Sequence, residues 1–398
     1  MSEKLSILST VVISRRAADR IRAGHVWVYR SDVVEATGIA PGALVTVEGS
    51  GGGRAPHALG SALYSSASEI AIRMISPKPV ENLDQLIRER IRAAIQYRER
   101  FVRDTNAYRV IFSEGDLLPG VIVDRYNDIL SIQVLTQAMD AEPVRSAFLS
   151  ELKATLDPAA VVERVDQRVR RLEQLPDKPS GLISGTKRNT EIQMNGVRFL
   201  FDALAGQKTG AFLDQRENYA AAAQYARGEA LDVFCYHGGF ALHLVRTCER
   251  VTGVDSSRPA LEAAEQNAAL NGNEIEWMEA NAFDLLRDYS DAGNKYDCIV
   301  LDPPPFAKSR RDLETALRGY KELNLRALKM LRPDGILVTC CCSYHVGVQN
   351  LVEILASAAQ DSHRILRILE NRGQAKDHPS IPGIPETAYL KCLIAAVS

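Results

Sequence analysis

The chain has 398 residues, 48 basic against 50 acidic side chains and a net charge of −2. At ~150 residues per domain this predicts two or three domains, and 46% hydrophobic with 25% charged residues excludes a disordered or fibrous chain. No apolar run approaches the ~18 residues of a membrane span, so no membrane partner is expected, and any nucleic acid must be held by local basic patches, not by the net field.

Residues 8–13 read as a strand and not as a signal peptide, because Ser and Thr break the apolar patch and no small-residue cleavage site follows. Short runs at 44–47, 59–64 and 70–75 are rich in branched or alternating residues. Pro41-Gly42 and the glycines of 49–53 separate them, and the latter suit a hairpin tip. Residues 1–78 are therefore expected to be all-β, with Pro77 and Pro79 marking a boundary.

Residues 80–103 predict one amphipathic helix, since Leu83, Leu86, Ile87, Ile91, Ile95 and Phe101 recur near helical spacing. Extended patterns return at 110–112, 121–123 and 129–135, followed by a helix over 144–156 and a strand over 160–164. Residues 79–190 are thus a linker helix and a small central α+β domain. From 191 to 398 strands (230–234, 249–254, 275–278, 298–301, 335–340) alternate with helices (260–271, 313–331). That rhythm predicts a parallel sheet covered on both faces, closed by apolar runs at 365–369 and 388–397.

Ligands of such sheets bind at the carboxyl ends of the strands. The first strand ends in Phe234-Cys-Tyr-His-Gly-Gly-Phe240, where two glycines let backbone approach a ligand. The second ends in Asp255, 17 residues past Gly238, placed to accept both hydroxyls of a ribose. The third is followed by Ala282-Phe283-Asp284, suited to an adenine amino group, and the fourth by Asp302-Pro-Pro-Pro-Phe306. An aspartate at a strand end is equally often the N-cap of the next helix. The glycine pair lacks G-x-G-x-x-G, which argues against NAD or FAD. As an ordered set the four pieces resemble the S-adenosylmethionine (SAM) site of class I methyltransferases.

The fifth strand ends in Thr339-Cys-Cys-Cys-Ser343. Successive side chains face opposite sides, which leaves Cys342 best placed to reach a cleft and Cys340 as core filling. Three adjacent thiols among seven cysteines form no disulfide framework, so reduced thiols and a cytoplasmic location are expected. A zinc site with His345 lacks a second ligand pair, and no metal is expected. A thiolate has a clear use in pyrimidine methylation: addition at carbon 6 makes carbon 5 nucleophilic. Asp302 is the candidate to assist at ring nitrogen 3.

The whole chain resembles the bacterial 23S rRNA cytosine-C5 methyltransferase family, built from an N-terminal PUA domain, a central α+β domain and a C-terminal methyltransferase domain. The resemblance rests on Gly24-His-Val-Trp-Val-Tyr-Arg-Ser-Asp32, Glu114-Gly-Asp-Leu-Leu-Pro-Gly-Val-Ile-Val-Asp-Arg-Tyr126, Gly206-Gln-Lys-Thr-Gly-Ala-Phe-Leu-Asp-Gln-Arg216, Asp302-Pro-Pro and Cys342-Ser343. It implies a multi-domain α/β protein, with a Rossmann-like catalytic sheet behind a PUA-like β-barrel. Its activity would be SAM-dependent methylation of 23S rRNA or its large-subunit precursor, with Cys342 and Asp302 catalytic. Gln207, Phe212, Asp214, Arg216, Asp232, Tyr236, Gly238, Gly239, Asp255, Ser256, Asn281, Ala282, Phe283, Asp284 and Asp302 would line the SAM site. A homodimer remains open.

The chain departs from the family at Asp232 and at the Cys340-Cys341 pair, and a one-residue offset would move the nucleophile to Cys341. No second cysteine follows the Asp-Pro pair, where Pro304 and Pro305 stand. Guanine N-methylation on the same domain set, or a non-catalytic RNA-binding role, are the competing readings. Trp27 and Tyr29 suit a β-barrel core better than base stacking. Arg15, Arg16, Arg20, Arg22 and Arg30 form a basic cluster that would suit RNA phosphates. So do Lys308, Arg310 and Arg311 directly after the Asp-Pro motif, and Arg168, Arg170 and Arg171. A solvated charged face is the alternative for all three.

Overall fold

The computed structural model describes residues 9–50, 57–204, 211–307 and 309–398, with the Arg310 side chain excluded. Leu8, most of the glycine stretch at 49–53, Gln207 and Lys308 lie outside the described residues.

Six strands form the N-terminal sheet: β1 (Thr10–Ile13), β2 (Trp27–Tyr29), β3 (Val33–Glu35), β4 (Leu44–Gly49), β5 (His57–Tyr64) and β6 (Ile70–Ser76). Their order is β2-β6-β5-β4-β1-β3. Period-2 patterning puts Val45, Val47, Ala62 and Ile72 inside. A helix the sequence did not announce, Arg15–Arg22, follows β1 and is capped by Ser14, whose hydroxyl accepts the Ala17 N–H at 3.2 Å. Its buried face is only Ala17 and Ala18, too thin a stripe to register as helical periodicity.

The helix Leu83–Phe101 then crosses to the central domain, capped by Asn82, which accepts the Gln85 N–H at 3.0 Å. Its buried Ile87, Ile91 and Ile95 lie one turn apart. They pack with Phe148 and Leu152 of the helix Val144–Leu156 on one five-stranded sheet. That sheet contains β7 (Ala107–Phe112), β8 (Val121–Tyr126), β9 (Ile129–Val134), β10 (Ala160–Glu163) and β11 (Gly181–Ser184), in reverse chain order β11-β10-β9-β8-β7.

The hairpin of β12 (Asn189–Met194) and β13 (Val197–Asp202) turns at Asn195-Gly196, both with positive φ (52° and 81°). That geometry suits a two-residue hairpin loop. The expected boundary at 190/191 falls inside β12, so the hairpin is one piece. Its inward face (Ile192, Met194, Val197, Phe199, Phe201) joins the core of the C-terminal sheet.

That sheet has seven strands: β14 (Glu229–Val233), β15 (Arg250–Asp255), β16 (Glu276–Glu279), β17 (Tyr296–Leu301), β18 (Leu331–Cys341), β19 (Leu366–Arg372) and β20 (Lys391–Val397). The order is β16-β15-β14-β17-β18-β20-β19, parallel except for β20, which runs antiparallel to both β18 and β19. The chain leaves β14 toward β15 and later returns to β14's other side as β17. The crevice between those two strand ends is the topological switch point.

One loop of this domain, between β19 and β20, binds the three domains together. Asp377 is fully buried; its Oδ1 accepts from Arg216 Nη2 at 3.1 Å and its Oδ2 from the Arg109 N–H at 2.8 Å. Its main-chain oxygen accepts from Arg98 Nη2 at 2.7 Å, while Arg98 also pairs with Asp116. Further along, Glu386 faces His25 at 3.3 Å, and a Cβ on Gly383 would stand 2.7 Å from the Gly24 oxygen. Trp27 adds its own tie to the central domain, donating from Nε1 to Glu114 at 2.9 Å.

Burial would raise the Asp377 carboxyl, but His378, Arg216 and the Arg109 N–H outweigh it and hold the group well below the carboxylate range. A depressed acid contributes stability that is present at neutral pH and lost as pH falls through the carboxylate range. Asp377→Asn leaves Arg216 buried opposite a neutral group. It should cost about 3–5 kcal/mol, read as a lower urea midpoint at pH 7; an unchanged midpoint would show the loop is not a brace.

Candidate functional site

The crevice is built from four strand ends. After β14 the backbone turns sharply: Phe234 and Tyr236 have φ of 68° and 50°, an uncommon conformation for residues with side chains and a mark of a site under constraint. Gly238 follows at φ 81°, and a Cβ there would lie 2.8 Å from the Trp277 ring; on Gly239 it would lie 2.4 Å from the Tyr219 ring. Both glycines are thus required by packing. The Tyr236 ring stacks on His237 at 3.7 Å and meets Phe212 edge-on at 5.0 Å.

Asp255 ends β15 half-buried, with Oδ2 accepting the Tyr236 N–H at 3.0 Å and Oδ1 the Ser257 N–H at 2.9 Å. These bonds fix the carboxylate against the β14 turn and leave lone pairs free for a hydroxyl pair. Ser256 beside it is exposed. After β16, Asn281 caps the helix Ala282–Asp291 by accepting the N–H groups of Phe283 (2.9 Å) and Asp284 (3.3 Å). Ala282 is buried, and Phe283 is exposed with its ring 5.8 Å from Phe306. The Asp284 side chain is 61% exposed and paired with Arg287 at 3.1 Å, so of these four residues Asn281 is the one fixed at the strand end.

Asp302 stands at the end of β17. Its N–H donates to the Val233 oxygen at 3.3 Å, joining the ends of β14 and β17. Pro303 is buried and its oxygen accepts from the Cys342 thiol, Sγ at 3.7 Å. The parallel register, which pairs Leu301 with Thr339, sets this meeting. Cys340 and Cys341 are fully buried, whereas Cys342, one residue past β18, is partly exposed. Ser343 behind it is buried, its hydroxyl 3.0 Å from the Tyr320 hydroxyl and accepting the Ala307 N–H at 3.3 Å.

Three expected cofactor residues are engaged by contacts within the protein. Arg216 is 1% exposed and committed to Asp377 and to the Arg103 oxygen at 3.2 Å, so its guanidinium braces the loop between β19 and β20. Asp232 is also fully buried, accepting the Ala241 N–H at 2.9 Å and so tying the glycine turn to β14 from below. Asp214 accepts the Tyr389 hydroxyl at 2.6 Å.

The basic clusters also resolve. Arg16 and Arg20 both pair with the buried Asp32, at 2.8 and 2.9 Å. Arg22 pairs with Asp19 at 2.6 Å, and Arg30 donates to the Ser65 and Ser68 oxygens. Arg15 is 86% exposed and lies 4.0 Å from the Asp19 carboxylate on the same helix, and Arg311 is exposed. Arg170 is buried and pairs with Asp140 at 3.1 Å, so it is structural.

The Asp232 Oδ1 atom is buried without a hydrogen-bond partner. Burial pushes its carboxyl up to about 8, with the Ala241 N–H opposing and the charges of Asp302 and Asp255 adding to the rise. With Asp232 held neutral by burial, Asp255 and Asp302 supply the negative charge at this turn, which suits a cationic ligand such as SAM, a sulfonium with an ammonium group. Among the described residues no group of His, Cys, Asp and Glu could hold a metal, and no helix is long and apolar enough to cross a membrane.

Lys391 and Tyr320 escaped the sequence reading. The available signal was one lysine inside the apolar run at 388–397.

An open α/β sheet with this crevice defines the class: a methyltransferase of the class I fold. A family model described as S-adenosylmethionine-dependent methyltransferase matches residues 121–395, and a PUA-like domain model matches residues 11–77. The ribosomal RNA large subunit methyltransferase I of Photobacterium profundum is 37% identical over 93% of this chain and 95% of its own length. That of Tolumonas auensis is 39% identical over 83% and 85%. A methyltransferase solved in complex with SAH has the same fold, with a TM-score of 0.83 at 18% identity over 98% of this chain and 100% of that one. A SAM-dependent methyltransferase from Streptococcus mutans gives 0.82 at 18% identity, with the same coverage. The chain belongs to the ribosomal RNA large subunit methyltransferase I family of SAM-dependent enzymes.

The raised Asp232 has a consequence for stability. An acid whose folded value exceeds its unfolded 3.8 favours folding below that unfolded value, and the benefit is lost as pH rises toward 8. The melting temperature should fall between pH 5 and 8, and Asp232→Asn should flatten that fall by about 1 kcal/mol or more. Parallel slopes in the two proteins, followed by calorimetry, would contradict the buried neutral carboxyl.

Proposed function

We propose that the protein forms 5-methylcytosine in large-subunit rRNA, with Cys342 as the covalent nucleophile. The observation that carries this reading is the Cys342 thiol, 3.7 Å from the Pro303 oxygen, on the residue after Asp302. Methylation of an amino or hydroxyl group needs no thiol beside the Asp-Pro motif; carbon 5 of a pyrimidine does.

SAM, when bound, supplies an electrophilic methyl group. The β14 turn, Asp255 and the Asn281 loop would hold it, with Phe283 and Phe306 flanking its base. The Cys342 thiolate adds its electron pair to ring carbon 6, which makes carbon 5 nucleophilic. Asp302 holds the exocyclic amine and ring nitrogen 3 as charge builds there. After carbon 5 has taken the methyl and lost its proton to a base, elimination of the thiolate restores the aromatic ring and the free enzyme.

The relatives named for ribosomal RNA, and the PUA-like domain, support RNA as the partner. A ribosomal RNA substrate supports a cytoplasmic location. Arg15 at the N-terminal domain and Arg311 beside the Asp-Pro segment are exposed cations available to phosphates. Cys342→Ala should keep SAM binding within about twofold and lower methyl transfer to rRNA by at least 100-fold, on the order of 3 kcal/mol in the barrier. Nucleoside mass spectrometry checks both the rate and the base. Full activity in Cys342→Ala with loss in Cys341→Ala would move the role by one residue; a methylated guanine would end the cytosine reading.

A further inference from the structure

The first residue of β20 is a buried lysine. Lys391 is 7% exposed, and its Cα pairs with that of Cys341 across the antiparallel β18–β20 ladder. Its Nζ donates to the Ser343 oxygen at 2.7 Å and to the Tyr389 oxygen at 2.9 Å. Ser343 is the residue directly after Cys342, so the ammonium grips the backbone at the point where the strand ends and the thiol emerges.

The two carbonyls satisfy two of the three N–H groups but carry no charge. Among the described residues no carboxylate lies within ion-pair distance of Lys391. A buried ammonium without a counter-charge is costly and is retained only where something compensates it. Burial lowers the affinity of Lys391 for its proton, and the neighbouring thiols of Cys341 and Cys342 act in the opposite sense.

Every element packed around these thiols contributes a group. Tyr320, from the helix Leu313–Met330, bonds the Ser343 hydroxyl and interacts with both thiols. Its phenol is pushed up by burial, so it stays neutral. Asp302 lies beyond β17, and its charge reaches Cys340. The Tyr389 phenol is turned to Asp214. Lys391 is thus the buried cation of this group. Of the two thiols that sense it, Cys341 has no accessible surface and Cys342 does.

We propose that Lys391 is the positioning residue of the nucleophile: it clamps the Ser343 carbonyl to hold Cys342 against Pro303, and its ammonium is the counter-charge of the Cys342 thiolate. The inference rests on the assignment of Cys342 as nucleophile, but it is testable without methyl transfer. Attack of the thiolate on iodoacetamide forms the S–C bond and expels iodide, and its rate follows the thiolate fraction.

The test is the pH dependence of iodoacetamide alkylation of Cys342 in the full chain, followed by peptide mass spectrometry. In Lys391→Met the alkylation rate at pH 7 should fall about tenfold or more, with the profile displaced to higher pH, because an opposite charge nearby is worth a pH unit or more. Lys391→Arg should stay within about threefold of the parent. SAM binding by calorimetry shows whether each variant is folded. Coincident profiles for the parent and Lys391→Met would overturn the proposal. If Lys391→Met does not fold, the parent alone decides: its Cys342 should alkylate with a lower pH midpoint in the native chain than in urea, and an equal or higher native midpoint overturns the proposal. A displaced profile together with an active Cys342→Ala would instead leave Lys391 in place and remove the covalent mechanism.

Discussion

The site depends on one register. Pairing of Leu301 with Thr339 in the parallel β17–β18 ladder brings Cys342 level with the Asp302-Pro303 segment. The 3.7 Å contact between its thiol and the Pro303 oxygen is the result. A slip of one residue would turn every side chain of β18 to the opposite face, burying Cys342 and leaving the crevice without a thiol. Cys340, Cys341 and Thr339, all buried in the sheet, oppose that slip through their own packing.

Around this contact the charges are arranged in two layers. On the glycine-turn side Asp255 and Asp302 gather negative charge at the ends of β15 and β17, beside the buried neutral Asp232. On the β20 side Lys391 supplies a single buried cation to the thiols. The loop between β19 and β20 connects these layers to the rest of the molecule. Within one segment it carries Asp377 against Arg98, Arg109 and Arg216, and Glu386 against His25, and it ends at Tyr389 and Lys391. The N-terminal domain, the central domain and the end of β18 are therefore linked through a few polar contacts of this one segment.

Periodicity made the sheet legible. The strands around Val233, Val254, Leu301 and Val338 lie where runs of branched residues predicted them, and Asp255 and Asp302 stand at the ends of β15 and β17. Side-chain partners were not legible. Arg16 and Arg20 look like an RNA-facing cluster until Asp32 is seen beneath them, and Arg216 looks like a cofactor ligand until Asp377 takes its guanidinium from 161 positions away. Asp232 sits in the position of a ligand, yet its neighbours bury it completely. Lys391 is the inverse case: an unremarked lysine in an apolar strand, whose meaning comes only from its place opposite Cys341. Contacts of this range are a property of the fold and not of any local pattern.

The central claim is the covalent bond between one sulfur and one base. Incubation of the protein with SAM and an rRNA fragment carrying 5-fluorocytidine tests it most directly, because fluorine at carbon 5 blocks the proton loss that precedes release of the thiolate. The account predicts a denaturation-resistant protein–RNA adduct whose cross-linked peptide carries the nucleotide on Cys342. An adduct on Cys341, or turnover without any adduct, would contradict it.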